Sequence, residues 1–167
     1  MRLSATQVIE MLGPKAHPTC GFAAETYLSD LQIPVSVLPA EYGGARPAGG
    51  VLYFLVTPVA PVRLHRIRSD QMYHYYLGDP LEVLLLYSGG KSEVCVVGPD
   101  LAGGMRPQLL IPGGTFHAGR VPPGASYSLL GTSVWVRPEP SDVEPGIAGE
   151  LIASYPSARE AIRAFTS

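Results

Sequence analysis

Three of the four histidines of this chain, among them His65 and His117, lie in or beside apolar segments that are typical of β-strands. His65 is followed by Gln71 and then by Gly78, where the chain turns. Further along, the segment Pro112-Gly113-Gly114-Thr115-Phe116-His117 has the form P-x-G-x-x-H. Imidazole nitrogens bind divalent transition metals and also exchange protons near neutral pH. These histidines therefore predict either a metal site or acid–base chemistry.

The two patterns resemble the motifs of the cupin superfamily, whose first motif is an H-x-H pair followed by a glutamate and a glycine, and whose second is P-x-G-x-x-H. The chain is more closely similar to a poorly characterised family of small single-domain cupins, and this resemblance covers nearly the whole sequence. The segments that carry it are His17-Pro18, Gly21-Phe22, Glu25-Thr26-Tyr27, His65-Arg66-Ile67-Arg68-Ser69-Asp70, His74, Gly78-Asp79-Pro80-Leu81-Glu82 and Gly98-Pro99-Asp100-Leu101.

The resemblance implies an all-β fold, the double-stranded β-helix or jelly-roll barrel of cupins, with short helices near the N- and C-termini. It also implies an interior that holds a metal or a small molecule, and assembly as a homodimer. The chain departs from the first motif at two positions, where Ile67 replaces the second histidine and Gln71 replaces the glutamate. The metal-ligand set that the resemblance implies is therefore reduced to His65, Gln71 and His117.

A divalent transition metal (Zn, Fe, Mn or Ni) is the candidate cofactor for these three residues. Two neutral imidazoles and an amide oxygen can bind such a metal, but more weakly than a set that includes a carboxylate. Asp70 could replace that carboxylate only if its strand end is bulged. The alternative is that His65 and His117 are interior histidines bonded to tyrosine hydroxyls or backbone groups. We expect no nucleotide cofactor, because no helix start follows the glycine-rich segment 42–50.

Tyrosines beside a histidine are the pairing expected where one group removes a proton and the other donates one. The resemblance puts Tyr73 inside the barrel, and we take it with His65 and His117 as the candidate catalytic residues. Tyrosines also fill β cores and bond their hydroxyls there, which is the alternative for all of them. The candidate substrate-binding residues are Tyr53, Arg63, Gln71, Tyr75, Glu25 and Tyr127.

Alternation along the strands gives some of these residues a predicted direction. Arg63 shares the parity of His65, and an inward guanidinium would favour a carboxylate or phosphate on the ligand. Arg66 and Arg68 have the opposite parity, which predicts solvated or ion-paired side chains. Glu25 could reach the pocket, orient the histidine or pair with one of the arginines. Glu82 and Asp100 follow turn residues, and we assign both to structural roles.

His74 and Tyr73 must face opposite sides of their strand, so only one of the two enters the barrel. If His74 is the outward residue, it is expected to form a hydrogen bond beneath a terminal helix or at a subunit interface. The sequence alone leaves this orientation open.

The length of 167 residues and a hydrophobic content of 46% are typical of one domain, residues 1–167, with its own core. The 19 glycines and 17 prolines punctuate apolar segments, which excludes an all-α fold and favours many short strands. Capping-box patterns at Ser4 and Ser157 predict a helix over about 4–12 and a helical segment over about 146–165, on either side of a barrel over about 26–137. The predicted strands are approximately 33–38, 51–57, 62–68, 71–77, 81–87, 92–97, 108–111, 115–121 and 126–137.

A formal net charge of −2 provides no general attraction to nucleic acid or anionic lipid, so we expect neither partner. The chain has no apolar stretch long enough for a membrane span and no signal-peptide core, which makes a cytoplasmic location the default expectation. Cys20 and Cys95 are far apart and form no metal or redox motif, so we interpret both as buried or idle thiols.

Together these features predict a cupin-type enzyme that binds a polar, anionic metabolite inside the barrel. The reaction would be a proton transfer of an isomerase, epimerase or lyase, with His65 as the base and with or without a divalent metal. A metal-free reaction resembles that of the sugar epimerase branch of cupins. The alternatives are a non-catalytic protein that binds or senses a metabolite, and a metal-dependent oxygenase.

Overall fold

Two antiparallel sheets face each other across a shared interior in the computed structural model, which describes residues 2–167. None of the helices in this described part is long and apolar enough to cross a membrane. The strands are β1 (Lys15–Ala16), β2 (Phe22–Leu28), β3 (Gln32–Ile33), β4 (Arg46–Pro47), β5 (Gly50–Val56), β6 (Val62–Ile67), β7 (Asp70–Gly78), β8 (Leu81–Leu86), β9 (Ser92–Val97), β10 (Gln108–Ile111), β11 (Phe116–Arg120), β12 (Ser128–Trp135) and β13 (Val143–Pro145). The helices are α1 (Ala5–Leu12), α2 (Ala148–Ser154) and α3 (Arg159–Thr166), and 3₁₀ turns span Val35–Val37, Ala40–Tyr42, Pro140–Asp142 and Pro156–Ala158.

The first sheet has the strand order β1-β2-β5-β12-β7-β10, and the second has the order β13-β6-β11-β8-β9. Strands β3 and β4 form a separate small pair. Apolar side chains from the facing sides of both sheets fill the space between them, with Phe54, Leu85 and Leu130 among the most buried. This arrangement confirms the predicted all-β, two-sheet jelly-roll fold.

The terminal helices cover outer faces of the two sheets. Val8 of helix α1 packs on Leu55 and Leu129 of the first sheet and on Tyr127, which precedes β12. Its start has the predicted capping box, because the Gln7 amide N–H donates to the Ser4 hydroxyl and the Gln7 side chain accepts from the Ser4 N–H. Helices α2 and α3 cover the second sheet, so short helices lie near both termini as predicted.

The capping box predicted at Ser157 is wrong. Ser157 lies inside the 3₁₀ turn Pro156–Ala158, and α3 begins after Ala158 without a side-chain cap. Proline is favoured at the first position of a helical turn because its φ is already set. Pro156 therefore starts the turn one residue before the serine that was expected to start the helix.

Two of the strand predictions near the N-terminal end are corrected by the structure. The predicted strand 33–38 is mainly the 3₁₀ turn Val35–Val37, with only the short β3 before it. Prolines at positions 34 and 39 flank this turn, and a proline has no backbone N–H to donate to a strand ladder. The long strand β2 was missed, and the first sheet begins before residue 26, because it includes β1 from Lys15 and β2 from Phe22.

Connections of similar length join these strands in different ways. Ser88-Gly89-Gly90 joins β8 to β9 as the predicted hairpin. Gly78-Asp79-Pro80 instead takes the chain from β7 in the first sheet to β8 in the second, and Pro122-Pro123-Gly124 leads from β11 back to β12. The hairpin interpretation of these two connections is wrong, because a short link can also pass between sheets that face each other.

The turn between β10 and β11 is held against the corner where β6 leads into β7. The Gly113 N–H donates to Asp70 Oδ1 at 2.7 Å, and the Gly114 N–H donates to the Ile67 carbonyl at 2.7 Å. A Cβ atom on Gly113 would lie 2.1 Å from the Arg68 carbonyl oxygen, so only glycine fits this close approach. The turn thereby fixes β11 relative to both β6 and β7.

We predict that Gly113→Ala lowers the free energy of unfolding by about 1–3 kcal/mol, because the added methyl group forces this corner apart. Urea unfolding of the variant and the wild-type protein measures the difference. Gly149→Ala is the matched control, because a Cβ atom at that position in α2 meets nothing within 4 Å. An unchanged urea midpoint for Gly113→Ala would show that the corner tolerates the side chain.

Candidate functional site

A cavity of about 450 Å³ lies between the sheets and opens to solvent on one side. Its walls are mainly apolar, with Leu52, Phe54, Ile67 and Val134 among them. The polar residues that line it are His17, Thr19, Cys20, His65, Gln71, Tyr73, Thr132, Arg137 and Glu139.

His65 is one of the residues that line this cavity. Its Nδ1 lies 2.6 Å from the Arg63 carbonyl oxygen, which can only accept, so Nδ1 carries the hydrogen and Nε2 has the lone pair. Burial lowers the pKa of His65, and the hydrogen bond to the carbonyl offsets this only in part. The ring is therefore neutral at pH 7, with an acceptor nitrogen free to act as a base.

His117 lies directly beside His65 but behind the cavity wall. The two residues are cross-strand partners in β11 and β6, and their ring centroids are 4.3 Å apart. His117 is fully buried, and burial together with the neighbouring imidazole lowers its pKa well below the ordinary value. Its Nδ1 donates to the Thr115 carbonyl at 3.3 Å, and the Gln71 amide nitrogen donates to its Nε2 at 3.3 Å. Gln71 thus separates His117 from the cavity.

Two residues with hydroxyl groups line the cavity from neighbouring strands. Tyr73 on β7 and Thr132 on β12 are cross-strand partners, and both are buried. Burial raises the pKa of Tyr73 well above its ordinary value, so the phenol keeps its proton and can donate it in a hydrogen bond. Among the described residues, the buried Thr132 hydroxyl has no hydrogen-bond partner. Such an orphaned group favours a polar ligand atom or a water molecule at this point.

His65, Gln71 and Tyr73 reach one interior from two sheets. The sequence interpretation required the turn at 68–70 to preserve strand parity, but β6 belongs to the second sheet and β7 to the first. Their inward faces are opposite each other, so parity across the corner is not needed. Asp70 does not replace the missing carboxylate, because it accepts the Gly113 N–H at the corner.

His17 and Cys20 also line the cavity, and the prediction of site residues did not include them. The Cys20 Sγ atom lies 3.1 Å from Nδ1 of His17. Burial raises the pKa of Cys20 to about 12, so the thiol is protonated at neutral pH. The one available sequence signal was the His17-Pro18 segment that supports the family resemblance.

The rim of the cavity is formed by the segment 137–145, which the sequence interpretation also missed. Arg137 lines the cavity and donates to Glu25 Oε2 at 2.9 Å. The segment is fastened by Asp142, whose carboxylate accepts two hydrogen bonds from Arg46, at 2.8 and 3.1 Å. Both partners are almost fully buried. No sequence spacing could reveal this pair, because the two residues come from distant parts of the chain.

Five of the six predicted substrate-binding residues lie away from the cavity, and only Gln71 lines it. Tyr53 packs edge-to-face on Tyr76 with ring centroids 5.7 Å apart, on the outer side of the first sheet. Tyr127 is buried under α1. The Tyr75 hydroxyl donates to the Gly78 carbonyl at 2.8 Å.

The predictions for the two charged residues of that set, Arg63 and Glu25, are also corrected. The Arg63 side chain is exposed, and only its backbone carbonyl serves the site, through His65. Glu25 forms an ion pair with Arg137, which was not among the partners expected for it. Alternation did not bring the guanidinium of Arg63 inward, because the register of β6 and β11 shifts between Val62 and His65, so that β6 has one extra residue there. The Arg63 N–H bonds to the Thr19 carbonyl.

His74 is the outward residue of its pair. It lies on the outer face of the first sheet, where Nε2 is 3.1 Å from the Ser133 hydroxyl and Nδ1 is 3.0 Å from the Gln108 amide nitrogen. The structural roles expected for the remaining charged residues agree with the ion pairs of Arg66 with Glu144, Arg68 with Asp142 and Glu82 with Arg120, and with the hydrogen bond from Gly103 to Asp100.

The groups that could hold a metal are the imidazoles of His65 and His117 and the amide of Gln71. Residues 2–167 contain no group of three or more His, Cys, Asp or Glu side chains arranged to hold a metal ion. Each imidazole has its Nδ1 bonded to a carbonyl, which leaves Nε2 as the ligand atom. A metal on Nε2 of His117 would displace the hydrogen bond that this atom accepts from the Gln71 amide. With no anionic ligand, this set fits only weak binding.

Comparisons with known proteins agree with this architecture. A family model described as "Cupin superfamily (DUF985)" matches residues 6–138. The fold is similar to that of a hypothetical protein from Leishmania major, at 26% identity, a TM-score of 0.88 and 98% coverage of both chains. A protein from Shewanella oneidensis is similar at 25% identity and a TM-score of 0.84, covering 99% of this chain and 98% of its own.

A more distant likeness shows the fold alone. A cupin-2 domain protein from Rhodospirillum rubrum has 16% identity and a TM-score of 0.59, covering 91% of this chain and 84% of its own. Comparison with curated proteins gives no match. The relatives that resemble the whole chain are therefore informative about structure and carry no stated reaction.

The Arg46–Asp142 pair generates a prediction about acid stability. Burial would raise the pKa of Asp142, but the hydrogen bonds and charge of Arg46, together with the Glu139 N–H, lower it below 3.8. A lowered carboxyl pKa stabilises the folded protein above pH 3.8, and this contribution is lost as the pH falls through the lower, folded value. We expect Asp142→Asn to cost about 3–5 kcal/mol at pH 7, because it removes the buried carboxylate that pairs with the buried guanidinium and leaves only Glu139, at 3.6 Å.

Urea unfolding at pH 7 and at several values below pH 4 measures both effects. The wild-type protein should lose more stability on acidification than Asp142→Asn does. Glu150→Gln, at an exposed carboxyl on α2, is the control and should change stability by less than about 0.5 kcal/mol. Equal acid sensitivity of Asp142→Asn and the wild-type protein would contradict the assignment.

Proposed function

Because the chain belongs to the DUF985 family of the cupin superfamily, we propose that its cavity binds a small organic acid and catalyses proton transfer next to a carbonyl group. Family membership does not specify a reaction, since cupin barrels carry many unrelated functions. The observation that supports the proposal is His65, a neutral imidazole whose Nδ1 is bonded to the backbone and whose ring lines an otherwise largely apolar cavity.

The lining of the cavity indicates the class of ligand. A volume of about 450 Å³ lies in the range of small-molecule sites. Tyr73 and Thr132 offer neutral polar groups, much of the remaining wall is apolar, and Arg137 provides a guanidinium. These groups suit a small molecule that has a carbonyl or hydroxyl group, an apolar body and a carboxylate.

In the proposed reaction, Nε2 of His65 takes a proton from a carbon atom next to the ligand carbonyl. The hydroxyls of Tyr73 and Thr132 donate hydrogen bonds to polar atoms of the ligand, and the apolar walls exclude water from the reacting carbon. Return of the proton to the same carbon would give an epimer, and return to a neighbouring carbon would give an isomer. Loss of a leaving group from the same intermediate would make the protein a lyase.

His117 has an indirect role in this proposal, because it does not line the cavity. Its Nε2 accepts a hydrogen bond from Gln71 and so orients the amide that does line it. His117 is therefore a positioning residue, although it was first a candidate for catalysis.

We predict that the wild-type protein exchanges carbon-bound hydrogen of its substrate in deuterated water, as followed by proton NMR. The panel would contain 5-oxohexanoate and other keto acids, keto sugars and nucleotide sugars. His65→Gln should slow the exchange by about 10²–10⁴-fold while ligand binding is retained, because only the base is lost. His74→Gln, on the outer sheet face, is the matched control.

The outcomes of this experiment separate the two functional classes. Equal exchange by His65→Gln and the wild-type protein would exclude His65 as the base. If the wild-type protein binds a panel member tightly and exchanges none, it is a non-catalytic binding or sensing protein.

A weak divalent-metal site is a second candidate, favoured by the adjacent imidazoles of His65 and His117. These residues and Gln71 would hold the metal, which would polarise a ligand oxygen. The metal-dependent oxygenase alternative requires this site to be occupied.

The homodimer stays a prediction. On the outer face of the first sheet, Tyr76 and Trp135 are about half exposed, and a second copy of the chain could cover them.

We predict that Gln71→Glu raises the affinity for Mn²⁺, Ni²⁺ or Zn²⁺ at least about tenfold, because it adds an anionic ligand beside two imidazoles. Titration calorimetry and metal analysis of the purified protein provide the measurements. Gln108→Glu, at a similar amide beside His74 on the outer face, is the control. If Gln71→Glu binds these metals no better than the wild-type protein does, the residues do not form a metal site.

A further inference from the structure

The imidazole of His17 is held by its own turn through one nitrogen. The Thr19 backbone N–H donates to Nδ1 of His17 at 3.3 Å, and the Thr19 hydroxyl and the Cys20 thiol lie 3.3 and 3.1 Å from the same atom. A backbone N–H can only donate, so Nδ1 has the lone pair. The neutral ring therefore carries its hydrogen on Nε2.

The turn that holds His17 is fixed against the strands of the site. The His17 N–H donates to the Gly21 carbonyl at 2.8 Å, and the Arg63 N–H donates to the Thr19 carbonyl at 2.8 Å. Gly21 has a φ of 64°, and a Cβ atom there would lie 2.4 Å from the Leu55 carbonyl oxygen. Because of these contacts, the turn is tied to the start of β6, two residues before His65.

His17 and His65 line the same cavity with opposite tautomers. His65 has its hydrogen on Nδ1, bonded to the Arg63 carbonyl, and offers an acceptor. His17 has its hydrogen on Nε2, since its Nδ1 is the acceptor within the turn. Protonation of His17 would lower the pKa of His65 beyond the effect of burial, which is consistent with the nearness of the two rings. The cavity is thus equipped with one basic nitrogen and one donating nitrogen.

We propose that His17 is a further catalytic residue, whose Nε2–H donates a hydrogen bond to the carbonyl oxygen of the ligand while His65 removes the proton from the adjacent carbon. This inference rests on the proposed proton transfer and names the group that stabilises the charge formed on oxygen.

The step is balanced without any further reagent. The lone pair of His65 Nε2 forms a bond to the proton, and the electron pair of the broken C–H bond forms a C=C bond. The carbonyl π pair moves to oxygen, where the His17 N–H stabilises the negative charge. The proton then returns from His65 to carbon, so nothing is oxidised or reduced. A neutral imidazole suffices as the donor, because its role is a hydrogen bond and not a complete proton transfer.

Cys20 is a positioning residue in this arrangement. Its thiol is protonated and lies 3.1 Å from Nδ1, so the S–H can donate to the same lone pair as the Thr19 N–H. This contact favours the Nε2–H tautomer and turns the donating edge of His17 away from the turn. An acceptor in place of the thiol would favour the opposite tautomer.

The first test determines the tautomers of His17 and His65 by NMR and needs no substrate. Long-range ¹H–¹⁵N correlation NMR of the full-length protein distinguishes the protonated from the unprotonated imidazole nitrogen. With four histidines in the chain, His17→Phe and His65→Gln suffice to assign the two rings. We expect the Nε2–H form for His17 and the Nδ1–H form for His65. An Nδ1–H form of His17 would overturn the inference whatever the protein's activity.

The second test uses 5-oxohexanoate and hexanoate, two acids that differ at the carbonyl group. The wild-type protein should bind 5-oxohexanoate at least about tenfold more tightly, and His17→Phe should lose most of this preference, because the ring volume remains and the N–H is lost. Equal unfolding midpoints of the variant and the wild-type protein would show that folding is unaffected. His65→Gln should keep the preference, since it retains the His17 donor.

Exchange kinetics then separate the two proposals. His17→Phe should slow hydrogen exchange of 5-oxohexanoate by about 10²–10³-fold, the usual loss for one donor to a developing oxyanion. If the wild-type protein prefers the keto acid but exchanges no hydrogen, the donor role of His17 in binding is retained and the proposed reaction fails. If His17→Phe keeps the wild-type preference, or if the wild-type protein shows none, the inference about His17 is wrong.

Discussion

The corner between β6 and β7, clamped by the turn that precedes β11, is the constraint on which the site depends. Two backbone N–H groups of that turn donate to Asp70 and to the Ile67 carbonyl, and Gly113 leaves no room for a side chain. This clamp joins β6 and β11 of the second sheet to β7 of the first sheet. His65 and Gln71 lie on either side of the corner, so their separation is set by backbone hydrogen bonds and not by side-chain packing.

The second property of the site is that its buried histidines and its buried tyrosine are uncharged. Both histidines at the centre have lowered pKa values because they are removed from water, and each bonds its Nδ1 to the carbonyl of the residue two positions earlier in the chain. The interior can therefore hold two imidazoles in contact without repulsion between cations. The same burial keeps the Tyr73 phenol protonated. A set of neutral donors and acceptors results, which is why acid–base chemistry on a carbonyl compound suits the cavity better than strong metal binding does.

The groups at the mouth of the cavity come from segments outside the central strands. The turn that bears His17 and Cys20 is joined to β6 through the Thr19 carbonyl, and the rim segment is joined to β4 through Asp142 and Arg46. Both attachments are hydrogen bonds to rigid elements. Hydrogen bonds therefore hold the residues at the mouth in place as they hold those of the interior. The sequence of neither segment shows the alternating pattern that is typical of a strand.

The sequence by itself determined the fold class, the family and the short helices near the termini, because local motifs, alternation and capping patterns act over a few residues. It also provided His65, Gln71, Tyr73 and His117 as candidate site residues, and their roles stay a prediction. Those signals do not report which sheet a strand joins. Tertiary structure alone decided that Tyr53, Tyr75 and Tyr127 lie outside the cavity, and that Arg137 is at its rim while Arg63 faces solvent. It also decided that His117 lies behind Gln71. The physical reason is that a jelly roll brings distant strands face to face, so the cavity is built from contacts between residues that no local pattern connects.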